Sequence, residues 1–478
     1  MALSDKKKTR FAPSPTGHIH IGNLRTALFN WLLANPRSED LGQRGILLLR
    51  IEDSDLERSQ DIYITSLYED LHWLSLDWQE GPNLDGPNGP YYQSERFEIY
   101  ESYYQKLLQN GHAYPCFCTE NQLLIHRKTQ IAAGHPPRYS GACRHLTEAQ
   151  RMEKIKSGEK PALRFQISDN ETVRFDDLIQ GPKVFQTEDI GDFIIKKQDD
   201  SASFMFCNAI DDALMGVTHA LRGEDHLTNT PRQLLILKAL GLKPPQYGHM
   251  PLILGFDGKP LSKRNGSQSI QQLRQEGYLP LAIINYLARL GHSITAPISY
   301  ALADLAQVFK IENIGRAPAR FDMGQLGYWQ KEAVMALSDE DFGRWLEGTI
   351  AGIVPSAKQD LFIRTVRENV VIRQDVIFWA QQLFGLKLDL DETNQALLRE
   401  VGKDYFIAAM QAVQKYGIDY PKVMDDIKSV TKQKGKLLFM PLRIALTGVT
   451  QGPELLKVFE LLGQSGLLQR LQAASDLI

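Results

Sequence analysis

Arg10-Phe11-Ala12-Pro13-Ser14-Pro15-Thr16-Gly17-His18-Ile19-His20-Ile21-Gly22-Asn23 reads as a short strand, a proline- and glycine-bearing turn, and the start of a helix. The strand is Arg10-Phe11-Ala12, and the turn runs from Pro13 to Gly17. From about Gly22 a helix carries Leu24, Ala27, Leu28, Trp31 and Leu32 at helical spacing. A strand–turn–helix of this kind lets backbone approach a phosphate and aims the positive end of a helix at it. His20, at the helix start, is suited to donate to a polyphosphate as charge develops on it.

Outward from this stretch, Gly45-Ile46-Leu47-Leu48-Leu49-Arg50-Ile51 is a continuous apolar run, the pattern of a buried parallel strand. A helix is expected over Tyr63 to Leu74. Another, capped by Ser94, should turn Phe97, Tyr100, Tyr104, Leu107 and Leu108 inward and end at Gly111. Strand, helix, strand, helix in that order predicts an α/β fold of the doubly wound, Rossmann type. From about Tyr114 to Gln186, Cys, Arg, Pro and polar residues dominate, which reads as an α+β insertion. The sheet is expected to resume with Phe193-Ile194-Ile195 and Phe204-Met205-Phe206, and a helix to follow Asn229. Beyond Leu326 the chain reads as amphipathic helices, an all-α C-terminal region. The expected division is a catalytic domain over 1–112 and 190–245, an insertion over 113–189, a connecting region over 246–325 and a helical region over 326–478.

The chain has 478 residues, room for roughly three to five domains. A net charge of -3 does not decide for or against a nucleic-acid partner, since phosphate contacts need local Lys and Arg rather than a basic total. No apolar run approaches the roughly 20 residues that span a bilayer. The polar start, Met1 to Arg10 with Lys6, Lys7 and Lys8, is not followed by the apolar core of a secretion signal. A cytoplasmic protein without membrane contact is expected. Four Cys in so long a chain exclude a disulfide framework.

Two further constellations carry chemistry. Asp257-Gly258-Lys259-Pro260-Leu261-Ser262-Lys263-Arg264 places Lys263 on a glycine-flanked loop that can close over a phosphate and neutralise a pentacovalent transition state. Cys116-Phe117-Cys118 with Cys143-Arg144-His145 offers two ligand pairs, the donor set of a Cys₃His zinc tetrahedron with no open position and therefore a structural role. Cys207 stands apart as a core residue.

The first and second constellations together resemble the His-Ile-Gly-His and Lys-Met-Ser-Lys-Ser motifs of class I aminoacyl-tRNA synthetases. The opening Arg10 to Gly17, Arg50-Ile51-Glu52-Asp53-Ser54-Asp55, Leu221-Arg222-Gly223-Glu224-Asp225-His226 and Pro441-Leu442-Arg443-Ile444-Ala445-Leu446-Thr447-Gly448 are similar to bacterial glutamyl-tRNA synthetases over nearly the whole chain. The resemblance implies that glutamate and ATP react to glutamyl-adenylate and pyrophosphate. The glutamyl group then passes to a terminal ribose hydroxyl of tRNA, releasing AMP. It implies Arg10 and Arg222 on the substrate side-chain carboxylate, where a guanidinium fork suits a carboxylate. Glu52 holds the ammonium with Ser14 and the backbone of Ala12, and Phe204 and Asn208 line the glutamate pocket. ATP falls to Gly17, His20, Gly22, Asn23, Asp225, Leu252, Ile253 and Lys263, with Mg²⁺ accompanying it. His20, Asn23 and Lys263 are the residues expected to act in catalysis. The Cys-rich insertion is expected to hold Zn²⁺ and the acceptor stem of a glutamate tRNA, or also a glutamine tRNA. The helical part should meet the anticodon, with Arg364, Arg367, Lys432, Lys434, Lys436 and Arg443 available for phosphate and Tyr405 and Tyr416 for bases. A monomer is the family's usual state. A glutaminyl-tRNA synthetase shares the catalytic fold, but its C-terminal part is built of β-barrels. Two positions depart from the family: Pro260 replaces the usual first Lys of the second motif, and Phe204 a Tyr.

Overall fold

The computed structural model describes residues 6–35, 45–55, 58–84, 86–294, 300–385 and 390–478; for Lys263 it describes the backbone, and the side chain expected to act on phosphate lies outside the described part. The chain divides into two compact units, residues 1–273 with 283–323, and residues 274–282 with 324–478.

The first unit begins with β1 (Lys8–Phe11), α1 (Ile21–Ala34), β2 (Ile46–Leu49), α2 (Asp61–Trp73) and α3 (Phe97–Gln109). The insertion adds β3 (Ala113–Cys116), α4 (Glu120–Ala132), α5 (Glu148–Lys156), β4 (Ala162–Phe165), β5 (Thr172–Asp177), β6 (Gly181–Gln186), α6 (Thr187–Ile190) and β7 (Phe193–Lys196). Then come α7 (Phe204–Leu214), β8 (His219–Gly223), α8 (Thr230–Leu240), β9 (Gln246–Met250) and β10 (Ile253–Leu254). Strands β1 and β2 pair in parallel, as do β8 and β9. The two pairs lie side by side, because Thr218 donates its N–H to the Lys8 carbonyl at 2.8 Å. Leu47, Leu48 and Leu49 are buried, as a strand covered on both faces requires. In α1, Leu24, Ala27, Leu28 and Leu32 are buried and Trp31 is half-buried.

Three expectations are corrected. Phe193–Lys196 does not return to the parallel sheet; it closes an antiparallel sheet of order β3-β4-β7. Phe204-Met205-Phe206 opens a helix instead of a strand. A short apolar run fits either, and the continuation settles it, with Phe206, Cys207 and Ile210 on the buried side. Ser94 is not the cap of α3: it sits in a 3₁₀ turn, Gln93–Glu95, and its N–H and hydroxyl bind Asp53 at 2.9 and 2.6 Å. Phe97 is accordingly at the surface, 51% exposed, while Tyr100, Tyr104 and Leu107 enter the core. There Tyr104 stacks on Phe206 with ring centroids 4.2 Å apart, and Phe165, Phe193, Ile195 and Ile236 complete the cluster.

The second unit is helical, and one core joins Phe342, Phe362, Trp379, Phe406, Leu442 and Phe459. Tyr405 is part of that core, donating its hydroxyl to the Leu438 carbonyl, so stacking on a base is not its role. Arg367 closes a helix end through the carbonyls of Met335 and Leu337 and pairs with Asp339; Arg443 donates to the Pro453 carbonyl at 2.8 Å. Those two cations serve packing, whereas Arg364 is well exposed.

Asp211, fully buried on α7, binds the loop before α3 to the sheet domain. It accepts from Gln93 Nε2 at 2.9 Å, Arg96 Nε at 2.7 Å and the Tyr100 hydroxyl at 2.8 Å. Asp211→Ala would strand a buried guanidinium, and a loss of about 3–5 kcal/mol in urea unfolding is expected. A loss under about 1 kcal/mol would show that water replaces the carboxylate.

Candidate functional site

Strands β1, β2, β8 and β9 end at one cavity of about 640 Å³. Its lining takes Arg10, Ala12 and Ser14 from the end of β1, Glu52 from beyond β2, Arg222 and Gly223 from β8, and Pro251, Leu252 and Ile253 from beyond β9. Gly17, His20, Gly22 and Asn23 come from the turn into α1, Phe204 and Asn208 from α7, and Asp225 and His226 from the segment after β8. Open α/β sheets bind ligands outside the carboxyl ends of their strands. The structure thus brings together every expected glutamate and ATP residue whose side chain it describes. Pairing continues beyond the strand ends: Arg50 donates its N–H to the Phe11 carbonyl and Glu52 to the Pro13 carbonyl, each at 3.0 Å.

Beneath the cavity floor lies an ionic network. Arg50, fully buried, reaches Asp212 at 2.8 Å and Glu52 at 3.0 Å, and Arg10 reaches the same Asp212 at 3.3 Å. Burial alone would raise the Asp212 carboxyl, but Arg10 and Arg50 outweigh it and hold Asp212 below the usual carboxylate range. Glu52 is pushed upward by burial, with Arg50 pulling against it. Its Oε1 accepts from both Arg50 and Asn208, the latter at 2.7 Å.

Arg222 differs from the other arginines of the cluster. It donates to His249 Nε2 at 3.1 Å, Thr230 Oγ1 at 2.8 Å, Gln233 Oε1 at 2.7 Å and Asn208 Oδ1 at 3.5 Å, all neutral groups. Among the described residues no carboxylate lies within ion-pair distance of it. Burial lowers it to about 10, still charged at neutral pH. A 4% exposed guanidinium oriented on four sides by neutral groups is chemically suited to receive a carboxylate.

At the other end of the cavity, His20 caps α1, its Nδ1 accepting from the Gly22 N–H at 3.1 Å. A Cβ at 22 would lie 3.1 Å from the His20 ring, which would have to give way by a few tenths of an ångström. The two signature segments are neighbours: His20 bridges Ser269, and Ile270 donates to the Ile19 carbonyl at 2.9 Å. Leu252 is engaged through its backbone, its N–H on Glu224 Oε1 at 2.9 Å.

In the insertion, the sulfurs of Cys116, Cys118 and Cys143 lie within 4.8 Å of one another. Arg164 Nε donates to Cys116 Sγ at 3.1 Å and the Phe117 N–H to Cys143 Sγ at 3.4 Å, the kind of donation that suits a metal-bound thiolate. Three clustered thiols, two of them with an N–H donor on the sulfur, fit zinc chemically. His145 is not brought in. The turn over 142–145 sends Cys143 inward and leaves the His145 side chain exposed, while the Tyr139 hydroxyl lies 3.4 Å from Cys116 and 3.5 Å from Cys118.

Asp212, His249, Thr230 and Gln233 are site residues that no motif reveals. Traces of them stand in the sequence: the adjacent acids Asp211-Asp212 inside an apolar helix face, and His249 inside a buried strand.

The His226 ring lies against Phe204, with ring centroids 5.1 Å apart. Burial, then repulsion from Arg222, lowers it from 6.5 to about 4. Between those values the unfolded chain takes up a proton that the folded one refuses, so stability falls as pH drops through that window. A urea-unfolding series from pH 7 to 4 should be measurably flatter for His226→Gln than for the parent (about pH 6.5 downward). Parallel slopes would show that His226 is protonated in the native protein.

The family model described as "tRNA synthetases class I (E and Q), catalytic domain" matches residues 6–326, and "Anticodon binding domain" matches 344–475. "Glutamate--tRNA ligase 2" of Coxiella burnetii (strain RSA 331 / Henzerling II) is 52% identical over 467 residues, covering 98% of this chain and 99% of that one. The protein of the same name from Nitrosococcus oceani is 50% identical over 98% of each chain. The crystal structure of a glutamate tRNA ligase from Elizabethkingia meningosepticum, in complex with its amino acid, superposes with a TM-score of 0.84 at 26% identity, covering 99% of both chains. A catalytic match over two thirds of the chain, a cavity at the strand ends and relatives alike over the whole length lead to one family: the chain belongs to the glutamate--tRNA ligases, within the class I tRNA synthetases.

Proposed function

We propose that the cavity at the strand ends is where this glutamate--tRNA ligase takes up glutamate and ATP, with Arg222 as the receptor of the substrate side-chain carboxylate. The observation that carries this is the set of neutral partners around a buried, charged Arg222. Arg10 assists while staying paired to Asp212. Glu52 takes the substrate ammonium together with Ser14 and the Ala12 backbone, and the incoming cation keeps the Glu52 carboxylate ionised. Phe204 and Asn208 wall the glutamate pocket.

ATP lies along Gly17, His20, Gly22 and Asn23, with its ribose toward Asp225 and its base toward the backbone of Leu252 and Ile253. Mg²⁺ accompanies the phosphates. The α-carboxylate of glutamate attacks the α-phosphorus, the bond to pyrophosphate breaks, and glutamyl-adenylate forms. The α-phosphate charge that develops is met by His20, the backbone N–H groups at the start of α1, and Lys263. A ribose hydroxyl at the tRNA terminus then displaces AMP.

In this reading, residues 113–189 meet the acceptor stem, 246–325 the stem beyond it, and 326–478 the anticodon arm of a glutamate tRNA. The chain works as a monomer in the cytoplasm. Zinc, held by Cys116, Cys118 and Cys143, fixes the insertion. His145 is the fourth ligand that the resemblance implies, and the Tyr139 hydroxyl is the oxygen lying against the sulfurs.

Arg222→Ala should lower kcat/KM for glutamate by a factor corresponding to about 3–5 kcal/mol, with KM for ATP little changed. Steady-state aminoacylation against glutamate concentration tests it, and an unaltered efficiency would remove Arg222 from the pocket's chemistry. Metal analysis of protein purified without chelators should find zinc near one equivalent, and Cys118→Ser should lose it. Less than about a tenth of an equivalent in the parent, with freely reactive thiols, would leave three buried cysteines and no site.

A further inference from the structure

We infer that Asp177 and His249 are positioning residues for glutamate recognition: Asp177 fixes the tautomer of His249, and that tautomer holds Arg222 in place without neutralising it. The inference rests on Arg222 being the carboxylate receptor, as proposed above.

Asp177 is the last residue of β5, on the inserted hairpin, and is buried. Its Oδ1 accepts from the N–H groups of Ile179, Gln180 and His249 at 2.9, 2.7 and 3.1 Å. Its Oδ2 bonds His249 Nδ1. An ionised carboxylate only accepts, so the ring proton of His249 sits on Nδ1 and Nε2 keeps its lone pair. That lone pair receives Arg222 Nε–H at 3.1 Å. The protonation states agree. Burial would raise the Asp177 carboxyl, yet the donors on it hold it below the usual range, while burial foremost keeps His249 below the usual imidazole value. His249 is therefore a neutral acceptor against a cation. A carboxylate in its place would satisfy Arg222 and cancel the charge that attracts the substrate.

The hairpin is docked where this requires. Leu178 donates its N–H to the Tyr247 carbonyl at 2.9 Å, two residues before His249, and Arg316 Nε donates to the Ile179 carbonyl at 2.9 Å. The insertion thus reaches the His249 ring through the Asp177 carboxylate, while Gln180 Nε2 donates to the His249 carbonyl at 3.3 Å.

Asp177→Asn separates tautomer control from anchoring. The amide oxygen still serves the three backbone N–H groups. The amide NH₂ now faces Nδ1, turns it into an acceptor and moves the ring proton to Nε2, where it opposes Arg222 Nε–H. KM for glutamate should rise about ten- to a hundredfold, the effect of one buried donor left unmatched, with KM for ATP within about threefold of the parent. His249→Gln presents an amide oxygen to Arg222 whatever stands at 177. In that background Asp177→Asn should add nothing further. An effect of equal size in both backgrounds, or none in the parent, overturns the inference and makes Asp177 a hairpin anchor only. Should Asp177→Asn lose cooperative unfolding, His249→Gln against His249→Leu asks the same question. Leucine offers no acceptor and should raise KM for glutamate at least about tenfold above the glutamine variant, and equal values overturn the inference. An unaltered glutamate KM in Arg222→Ala would instead overturn the pocket assignment on which this rests.

Discussion

Arg50 sets the terms for the rest of the catalytic unit. Its guanidinium is fully buried at the end of β2, and it persists there because Asp212 and Glu52 bind it directly, with Asp211 3.8 Å away. Burying one such charge alone is prohibitive, so the acids and their further partners must be buried with it. Asp211 takes Arg96, and Asp212 takes Arg10. Three carboxylates, Glu52, Asp211 and Asp212, thereby meet three guanidiniums, Arg10, Arg50 and Arg96. Arg222 is the fourth arginine of the cluster and, among the described residues, has no acid within ion-pair distance. The surplus positive charge at the cavity floor is a structural quantity, and it matches a substrate that carries one more carboxylate than ammonium.

This arrangement explains why the site sits at the strand ends and not within a loop. Arg10, Glu52 and Arg222 stand on or just beyond three parallel strands whose register is fixed by backbone pairing, so their separation cannot drift. Asn208 ties the parts together, donating to Glu52 while its oxygen takes Gln233 and Arg222. One amide thus reads a carboxylate on one side and two donors on the other, which leaves it a single orientation.

What the sequence made legible was local. The strand–turn–helix at Arg10 to Asn23, the parallel run at Gly45 to Ile51 and the helical tail follow from short-range patterning, and the structure has them. The motif residues were legible because their neighbours in the chain are also their neighbours at the cavity. Asp177, His249, Thr230 and Gln233 were not: Asp177 lies 72 residues from His249 and His249 27 from Arg222, while Thr230 and Gln233 stand outside the motif and meet Arg222 only because α8 folds back on β8. The strand expected at Phe204 failed for a related reason. An apolar triplet carries no period of its own; the period shows only in the continuation through Ile210, and the two buried acids that follow, Asp211 and Asp212, make sense only with Arg50 and Arg96.

The same reasoning accounts for Pro260, the departure from the family's second motif. A proline there removes a backbone N–H and fixes φ, which harms a loop only if that N–H is used. The hairpin closes instead through Gly255 N–H on the Lys259 carbonyl at 2.8 Å and Leu261 N–H on the Ile253 carbonyl at 2.8 Å, one residue to either side. The Pro260 carbonyl accepts from Asn265 Nδ2 at 3.0 Å, and Asn265 also binds Asp257 at 2.9 Å and the Ser262 N–H at 2.6 Å. The loop is therefore shaped by Asn265, whose acceptor and donors together span the segment. Residue 260 needs to supply only a carbonyl, which proline has. What proline cannot supply is the cation of the usual lysine; Lys259, one residue earlier, is exposed, with its N–H on Asp257. The fold of the signature loop is thus insensitive to this substitution.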